Sequence, residues 1–284
     1  MLKLNAILIS LILLGTPIFA EAEIQEKVNK LKFQTGKVTI GDNLATIDVP
    51  KGFKFLDAKQ SQFVLHDVWG NPEDDSTLGM LFKADQSPTS DNFTYAITYA
   101  FSDEGYVSDS DANEIDYEEL LETMKEDIEE GNSFRKKEGY PTLNLVGWAS
   151  KPYYDESNKK LHWAKEINFE GDEVNTLNYN IRMLGRKGVL VANAIATIEY
   201  LPEVEKDIPV ILESTGFNEG EKYSDYNPSV DKVAAYGIGG LIAGKVLAKA
   251  GFFALIAKFW KIIALGGIAM LGFIKKFFSG RSNE

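Results

Sequence analysis

The sequence contains no cysteine and only two histidines among its 284 residues. Without cysteine there is no disulfide bond, no thiolate zinc site and no thiol nucleophile. His66 and His162 have no further metal ligand at helical or strand spacing, and the sequence does not indicate a catalytic triad around either of them. Repeats, proline-rich linkers and low-complexity tracts are also missing, so nothing divides the central part of the chain. We therefore expect one central domain without a metal or cofactor.

Positive charge is scarce in the central domain. The whole chain carries −12, and residues 232–284 carry +7 because eight Lys or Arg stand against one acid. Residues 1–22 are neutral overall, so residues 23–231 carry −19. A domain this acidic repels nucleic acids and anionic lipid head groups. The composition argues against a nucleic-acid partner and leaves only the basic tail suited to a membrane surface.

The first 22 residues have the pattern of a secretory signal peptide. Lys3 precedes an apolar stretch, and the small residues Ala20 and Ala22 then form an A-x-A cleavage pattern. The apolar stretch is shorter than the roughly 20 residues that a membrane span needs. We expect residues 1–22 to direct export and residues 23–231 to form an acidic exported domain. An uncleaved anchor and a buried N-terminal helix are the alternatives.

The C-terminal part is apolar and basic. Residues 259–278 avoid a central lysine and would rise about 30 Å as a helix, the thickness of the hydrocarbon core. We therefore predict a transmembrane helix there, followed by a short tail at 279–284, and place the protein in the inner membrane with its domain in the periplasm. Residues 232–258 read as a Gly-rich amphipathic helix, from Ala234 to Ala257, or as a second membrane helix. Their small residues Gly240, Gly244 and Ala248 suit helix pairing, in a hairpin or a homo-oligomer. A buried soluble helix pair is the alternative.

Apolar periodicity predicts an α+β domain, with a largely antiparallel sheet covered by helices. Short loops between consecutive strands favour a meander. Asp57 is the expected N-cap of a helix ending at Gly70. The predicted helices cover residues 24–31, 57–70, 115–137 and 204–213. The predicted strands cover residues 38–40, 45–49, 78–82, 93–101, 143–148, 161–169, 176–184 and 188–200.

One predicted strand carries polar side chains on a single face. Asn178, Asn180 and Arg182 alternate with apolar residues, and Arg186 follows in the turn. Two arginines in an acidic domain suit a carboxylate or phosphate ligand. The alternative is an internal ion pair, for instance with Asp155.

Other candidate site residues are aromatic or acidic. Trp148 and Trp163 suit either a groove or the core, the core being the more ordinary place for them. Carboxylates between Asp109 and Glu119 have an alternating spacing that suits calcium, but Glu114 stands where an EF-hand requires glycine. A carboxylate-rich helix N-terminus explains this segment equally well.

Several peptides resemble a family of bacterial membrane-anchored proteins catalogued as domain of unknown function 2167. The most specific of them is Asn178–Leu190, and others include Trp69–Pro72, Pro152–Asp155 and Leu161–Ala164. The resemblance implies an exported domain with a C-terminal anchor, and no activity. We therefore expect a non-enzymatic binding or interaction module of the envelope. The alternative is an envelope hydrolase using carboxylates with Arg182 or Arg186.

Overall fold

The computed structural model describes residues 23–71, 74–137 and 141–244, which form two antiparallel sheets packed with helices. The strands are β1 (Gly36–Ile40), β2 (Ala45–Val49), β3 (Phe53–Asp57), β4 (Thr77–Lys83), β5 (Ala96–Ser102), β6 (Leu143–Asp155), β7 (Lys160–Phe169), β8 (Thr176–Leu184), β9 (Val189–Thr197) and β10 (Thr215–Phe217). The helices are α1 (residues 23–29), α2 (Ala58–Phe63), α3 (Tyr117–Lys137), α4 (Leu201–Ser214) and α5 (Ile238–Ala243).

The large sheet has seven strands in the order β3-β4-β5-β9-β8-β7-β6, and the small sheet has the order β1-β2-β10. Strands β6 to β9 are neighbours in sequence and in space, as the short loops predicted. The predicted α+β class with an antiparallel sheet is confirmed. The signal peptide at 1–22, the transmembrane helix at 259–278 and the tail at 279–284 lie outside the described residues. No helix of the described residues is long and apolar enough to cross a membrane.

The two faces of the large sheet have different partners. Along β8, Tyr179, Ile181 and Met183 pack into a core shared with α4 and the small sheet. Their neighbours Asn178, Asn180 and Arg182 lie on the opposite face, which carries α2, α3 and α5. The alternation predicted for this strand is therefore confirmed, because consecutive residues of a strand point to opposite faces.

Local signals place most elements correctly. The Asp57 side chain accepts a hydrogen bond from Gln60 N at 2.9 Å, so it caps α2 as predicted. That helix continues as a π-helical turn over Val64–Val68 and ends at Gly70, whose φ of 69° lies in the left-handed region. Strand β6 extends beyond the predicted 143–148, to Asp155. Three irregularities in its pairing with β7 break the alternation from which strands are recognised.

Residues 232–244 pack against the domain. Val233 bridges to Tyr106, and the Asp111 carboxylate accepts hydrogen bonds from the backbone N–H groups of Ile238 and Gly239 at 2.9 and 3.0 Å. The helix predicted from Ala234 therefore begins at Ile238, because the preceding residues pair as an extended segment. Its last turn ends at Gly244, with φ 70°.

The small residues of this segment differ in their surroundings. A Cβ on Gly240 would lie 2.6 Å from the Tyr236 Cβ, so glycine is required there by its own neighbour. Gly244 has nothing within 4 Å of such a Cβ, and Ala248 lies outside the described residues. A homo-oligomer through Gly240, Gly244 and Ala248 stays a prediction.

Candidate functional site

A polar patch lies in the middle of the helix-bearing face of the large sheet. We define the polar patch as Thr98, Lys165, Asn178, Asn180, Arg182 and Asn193, which come from strands β5, β7, β8 and β9. The strand register places these residues side by side, since Thr98 pairs with Asn193, Asn193 with Asn180, and Asn178 with Lys165. A sheet face that carries helices is normally apolar at its centre. The packing of the sheet alone does not explain this patch.

Two apolar clusters flank the patch. On one side Leu121, Met124 and Ile238 pack with other residues of α3, α5, β6 and β7. On the other side Val64 and Phe82 belong to the cluster beneath α2. Between them Thr98, Lys165, Arg182 and Asn193 are half-buried, whereas Asn178 and Asn180 are buried. The patch is therefore a polar region between two apolar clusters, with part of its surface still accessible.

A network of amides positions Arg182. Its Nη1 donates to the side-chain oxygen of Asn193 at 2.9 Å and to the Ile181 carbonyl at 2.8 Å, and its Nη2 donates to Asn180 Oδ1 at 3.3 Å. Asn180 in turn donates to Asn178 Oδ1 at 2.7 Å. The guanidinium carbon lies 5.2 Å from the centre of the Trp163 ring. Burial lowers the pKa of Arg182 to about 10, so the group is still charged at neutral pH.

Lys165 adds a second cation beside Arg182. Burial, together with repulsion from Arg182, lowers the pKa of Lys165 to about 8. In the described ranges no carboxylate forms an ion pair with either side chain, although the domain is strongly acidic. Charged groups that are removed from water normally have a partner of opposite charge. The two cations are therefore a candidate binding site for an anion.

Trp163 supplies a further donor at the same place. Its side chain is only 1% exposed, and within the described residues its Nε1–H has no hydrogen-bond acceptor. Trp163 lies on the patch face of β7, directly opposite Asn180 and two residues from Lys165. Buried donors are rarely left without an acceptor. An indole N–H, a guanidinium and an ammonium group thus lie within one small region.

The structure brings together only some of the residues singled out from the sequence. Asn178, Arg182 and Trp163 belong to one site. Trp148 lies opposite Lys165 on β6, and its Nε1 donates to the Tyr117 carbonyl at 3.1 Å, which fastens the start of α3 to the sheet. Trp148 therefore has a structural role at the edge of the patch.

Arg186 and Asp155 lie elsewhere. Arg186 Nε donates to Asp231 Oδ2 at 2.7 Å and its Nη1 to the Gly220 carbonyl, which fixes the loop before α5. Asp155 accepts hydrogen bonds from the backbone N–H groups of Ser157 and Asn158 in its own turn. The predicted internal ion pair is therefore confirmed for Arg186, with Asp231 as its partner. Asp155, the partner suggested from the sequence, is wrong, because its carboxylate closes its own turn.

The carboxylates of the calcium-like segment have structural partners. Asp109 accepts hydrogen bonds from Tyr154 at 2.6 Å, Lys159 at 2.7 Å and Tyr223 at 2.9 Å. Asp111 caps α5, and Asp116 accepts backbone hydrogen bonds at the start of α3. Over the described ranges, no three His, Asp or Glu side chains are grouped so as to hold a metal ion. This segment joins elements of the fold.

Comparison with known proteins identifies the family of this chain. The sequence profile described as "Protein of unknown function (DUF2167)" matches residues 32–272. The chain belongs to this family. None of the curated proteins matches this member of the DUF2167 family.

Several solved structures match at low sequence identity. Cyanobacterial PsbP (CyanoP) from Synechocystis sp. PCC 6803 is 8% identical, covers 66% of this chain and 94% of its own, and has a TM-score of 0.37. The Ran-binding protein Mog1p of Saccharomyces cerevisiae is also 8% identical, with 69% and 100% covered and a TM-score of 0.37. LpqN of Mycobacterium tuberculosis, involved in cell envelope biogenesis, is 15% identical, with 69% and 96% covered and a TM-score of 0.33. None of these matches is close enough to transfer a ligand or partner.

The peptide that carries the strongest resemblance to the DUF2167 family contributes directly to the patch. Asn178–Leu190 comprises most of β8, the turn and the start of β9. Lys165, Asn193 and Thr98 were not singled out from the sequence. The sequence offered a sign of Lys165 as a site residue, because it alternates with Trp163 and Ile167 on an otherwise apolar strand face. It offered the same sign of Asn193, because Asn193 alternates with Val191 and Ile195 on β9. It offered none of Thr98, since the proximity of Thr98 to the patch depends on strand order.

Proposed function

We propose that this protein is a non-enzymatic binding module of the cell envelope whose exported domain holds a small anionic ligand at the polar patch. The ligand carries a phosphate or a carboxylate group, because Arg182, Lys165 and the Trp163 indole are all donors. A guanidinium and an ammonium group are the side chains that most often bind these anions.

The absence of a carboxylate partner for Lys165 and Arg182 within the described residues is the observation that carries the proposal. With −19 on residues 23–231, acids are abundant, and a structural ion pair would have been easy to form. Asn178, Asn180 and Asn193 instead hold Arg182 through neutral amide groups, which leaves its positive charge uncompensated. Two neighbouring cations without a negatively charged partner repel each other and destabilise the fold. A bound anion would reduce this repulsion and stabilise the fold.

The location is inferred from the sequence. The signal-like residues 1–22 support export, and the apolar, basic residues 259–278 support attachment to the inner membrane by the C-terminal tail. Fractionation of cells that express the full chain, or the chain cut before residue 259, tests the attachment. We expect the full chain in the membrane fraction and the shortened chain among the soluble exported proteins. Equal distribution of the two would contradict the anchor.

The hydrolase alternative lacks the geometry it requires. Arg182 binds the asparagines of the sheet face and has no carboxylate in an ion pair within the described residues. Arg186 is already paired with Asp231. A general acid needs a carboxyl group whose pKa is raised. Among the described carboxyl groups with a resolved change, hydrogen bonds or ion pairs lower the pKa instead, as for Asp109 and Asp231. We therefore favour binding over catalysis.

Calorimetric titration of the purified full-length protein tests the proposal. Inorganic phosphate and citrate serve as probes of the two anion classes, and chloride at equal ionic strength serves as the reference. We expect phosphate, citrate or both to bind, and the substitutions Arg182→Gln and Lys165→Met each to weaken binding about tenfold or more.

Arg186→Gln is the matched control, since it removes an arginine that belongs to a different ion pair. Binding should survive this substitution. If neither anion binds more tightly than chloride, or if Arg186→Gln weakens binding as much as Arg182→Gln, the assignment of the site is wrong.

A further inference from the structure

An open groove of about 520 Å³ lies on the opposite face of the large sheet from the polar patch. Strands β6, β7 and β8 form its floor, and α4 forms one wall with Ile208, Pro209 and Leu212. Its size falls within the range of about 300–1,000 Å³ that is usual for small-molecule sites. None of its residues belongs to the polar patch, so the groove is a separate candidate.

Three rings form a row along the floor of the groove. The rings of Tyr153 and His162 are 5.5 Å apart, and those of His162 and Tyr179 are 6.0 Å apart and nearly parallel at 13°. The Tyr179 hydroxyl lies 3.0 Å from His162 Nδ1, which fixes the imidazole. Tyr153 at the end of the row is 60% exposed. An exposed aromatic ring in a groove provides a flat apolar surface for a ligand.

Several hydrogen-bonding groups of the groove are neutral. Burial lowers the pKa of His162, so its imidazole is uncharged at pH 7. Ser150 and Asn158 add a hydroxyl and an amide. Pro209 has no N–H, so the carbonyl of Glu205 cannot receive the helical hydrogen bond that residue 209 would otherwise donate. The groove therefore combines an aromatic surface with several neutral donors and acceptors.

The charges at the groove disfavour an anionic ligand. Asp155, Glu205 and Glu213 line it and repel anions. Lys160 also lines it and offsets part of this negative charge, since its Nζ is held there by the carbonyls of Leu212 and Thr215 at the end of α4. A neutral ligand with many hydroxyl groups avoids the repulsion, and the carboxylates accept hydrogen bonds from its hydroxyls.

We propose that this groove binds a neutral oligosaccharide, with a sugar ring against Tyr153 and sugar hydroxyls bonded to His162 Nε2 and the groups of α4. The apolar C–H face of a pyranose matches an aromatic ring, and its hydroxyls both donate and accept hydrogen bonds. This second site is independent of the anion site, since no residue is shared.

Calorimetric titration of the full-length protein with soluble tetrasaccharides, up to about 10 mM, tests the assignment. Chitotetraose and maltotetraose are the probes, and tetralysine represents a cationic peptide. We expect one of the tetrasaccharides to bind, and Tyr153→Ala to weaken its binding about fivefold to tenfold. Phe134→Ala is the matched control, because it removes a 42% exposed ring from α3 at a distance from the groove.

Each outcome decides the proposal. Binding that is weakened by Tyr153→Ala and by Glu205→Gln but kept in Phe134→Ala and Lys165→Met supports the groove and separates it from the anion site. No binding of either tetrasaccharide, equal binding by Tyr153→Ala, or binding of tetralysine alone would overturn it. Circular dichroism of each variant shows that the fold is retained, and both Tyr153 and Glu205 are exposed enough for this to be expected.

Discussion

Replacing Lys165 by methionine should stabilise the unliganded protein. The substitution keeps an unbranched side chain of similar length and removes a cation that lies beside Arg182 with no ion pair in the described residues. Methionine can lie against Trp163 and Trp148, the neighbours of Lys165 on its own strand and on β6. Most substitutions destabilise proteins, so an increase in stability is a distinctive result.

The expected gain in the free energy of unfolding follows from the pKa of Lys165. It is lowered from 10.5 to about 8, chiefly by burial and further by Arg182. At about 1.4 kcal/mol for each pKa unit, this corresponds to an upper limit of about 3 kcal/mol against the charged form. Because part of the side chain still reaches water, we expect Lys165→Met to raise the free energy of unfolding by about 1–2 kcal/mol at pH 7.

The pH dependence has a definite sign. Between about pH 8 and 10.5 the unfolded state binds the Lys165 proton and the folded state does not, so stability rises with pH in this window. Lys165→Met should lack this rise. Urea unfolding followed by circular dichroism at pH 7.0 and 9.5 measures the difference between the two proteins. A variant that is less stable than the parent at pH 7, or that has the same pH dependence, would refute the account of an uncompensated lysine.

Two further predictions concern the fold. Asp109→Asn should lower the free energy of unfolding at pH 7 by about 2–3 kcal/mol, because three donors lose a charged acceptor, and urea unfolding measures this. The hydrogen bonds from these donors outweigh the effect of burial and lower the pKa of Asp109. The stabilisation that the Asp109 carboxylate provides is therefore present above about pH 4 and is lost as the pH falls through the lowered pKa. If acid unfolding of Asp109→Asn followed the same pH dependence as that of the parent, this account would be contradicted. Gly188→Ala should lower the free energy of unfolding by about 3 kcal/mol, since the new Cβ would lie 2.0 Å from the Ser102 carbonyl oxygen. Gly147→Ala is the control and should change the melting temperature little, because nothing lies within 4 Å of its new Cβ. Similar melting temperatures for the two variants would show that the close approach at Gly188 is absent.

Much of the domain was predictable because its signals are local. The polar and apolar alternation of β8 gave the bounds 176–184 and assigned Tyr179 and Arg182 to opposite faces. The Asp57 cap gave the start of α2. Each of these features depends on residues within one turn of helix or one strand.

The features that could not be predicted depend on contacts between distant segments. Lys165 meets Arg182 only because β7 and β8 pair in one register. Asp231 reaches Arg186 across 45 positions of sequence that include β9, α4 and β10. Tyr153 was not assigned to a strand because bulges interrupt the alternation of β6. Sequence patterns singled out Asn178, Arg182 and Trp163 as candidate site residues, but only the strand order separates them from Arg186 and Asp155.

The indole N–H resonance of Trp163 tests the anion site most directly. Its Nε1–H has no acceptor in the described part of the chain, so an anion held between Arg182 and Lys165 is expected to provide one. Nitrogen-15 labelling of the tryptophans, with the signal assigned by Trp163→Phe, would follow it during titration with phosphate or citrate. We predict a saturable downfield proton shift and slower hydrogen exchange for this signal, with little change for Trp69. An indole signal of Trp163 that stays unchanged up to saturating anion would contradict the proposed site.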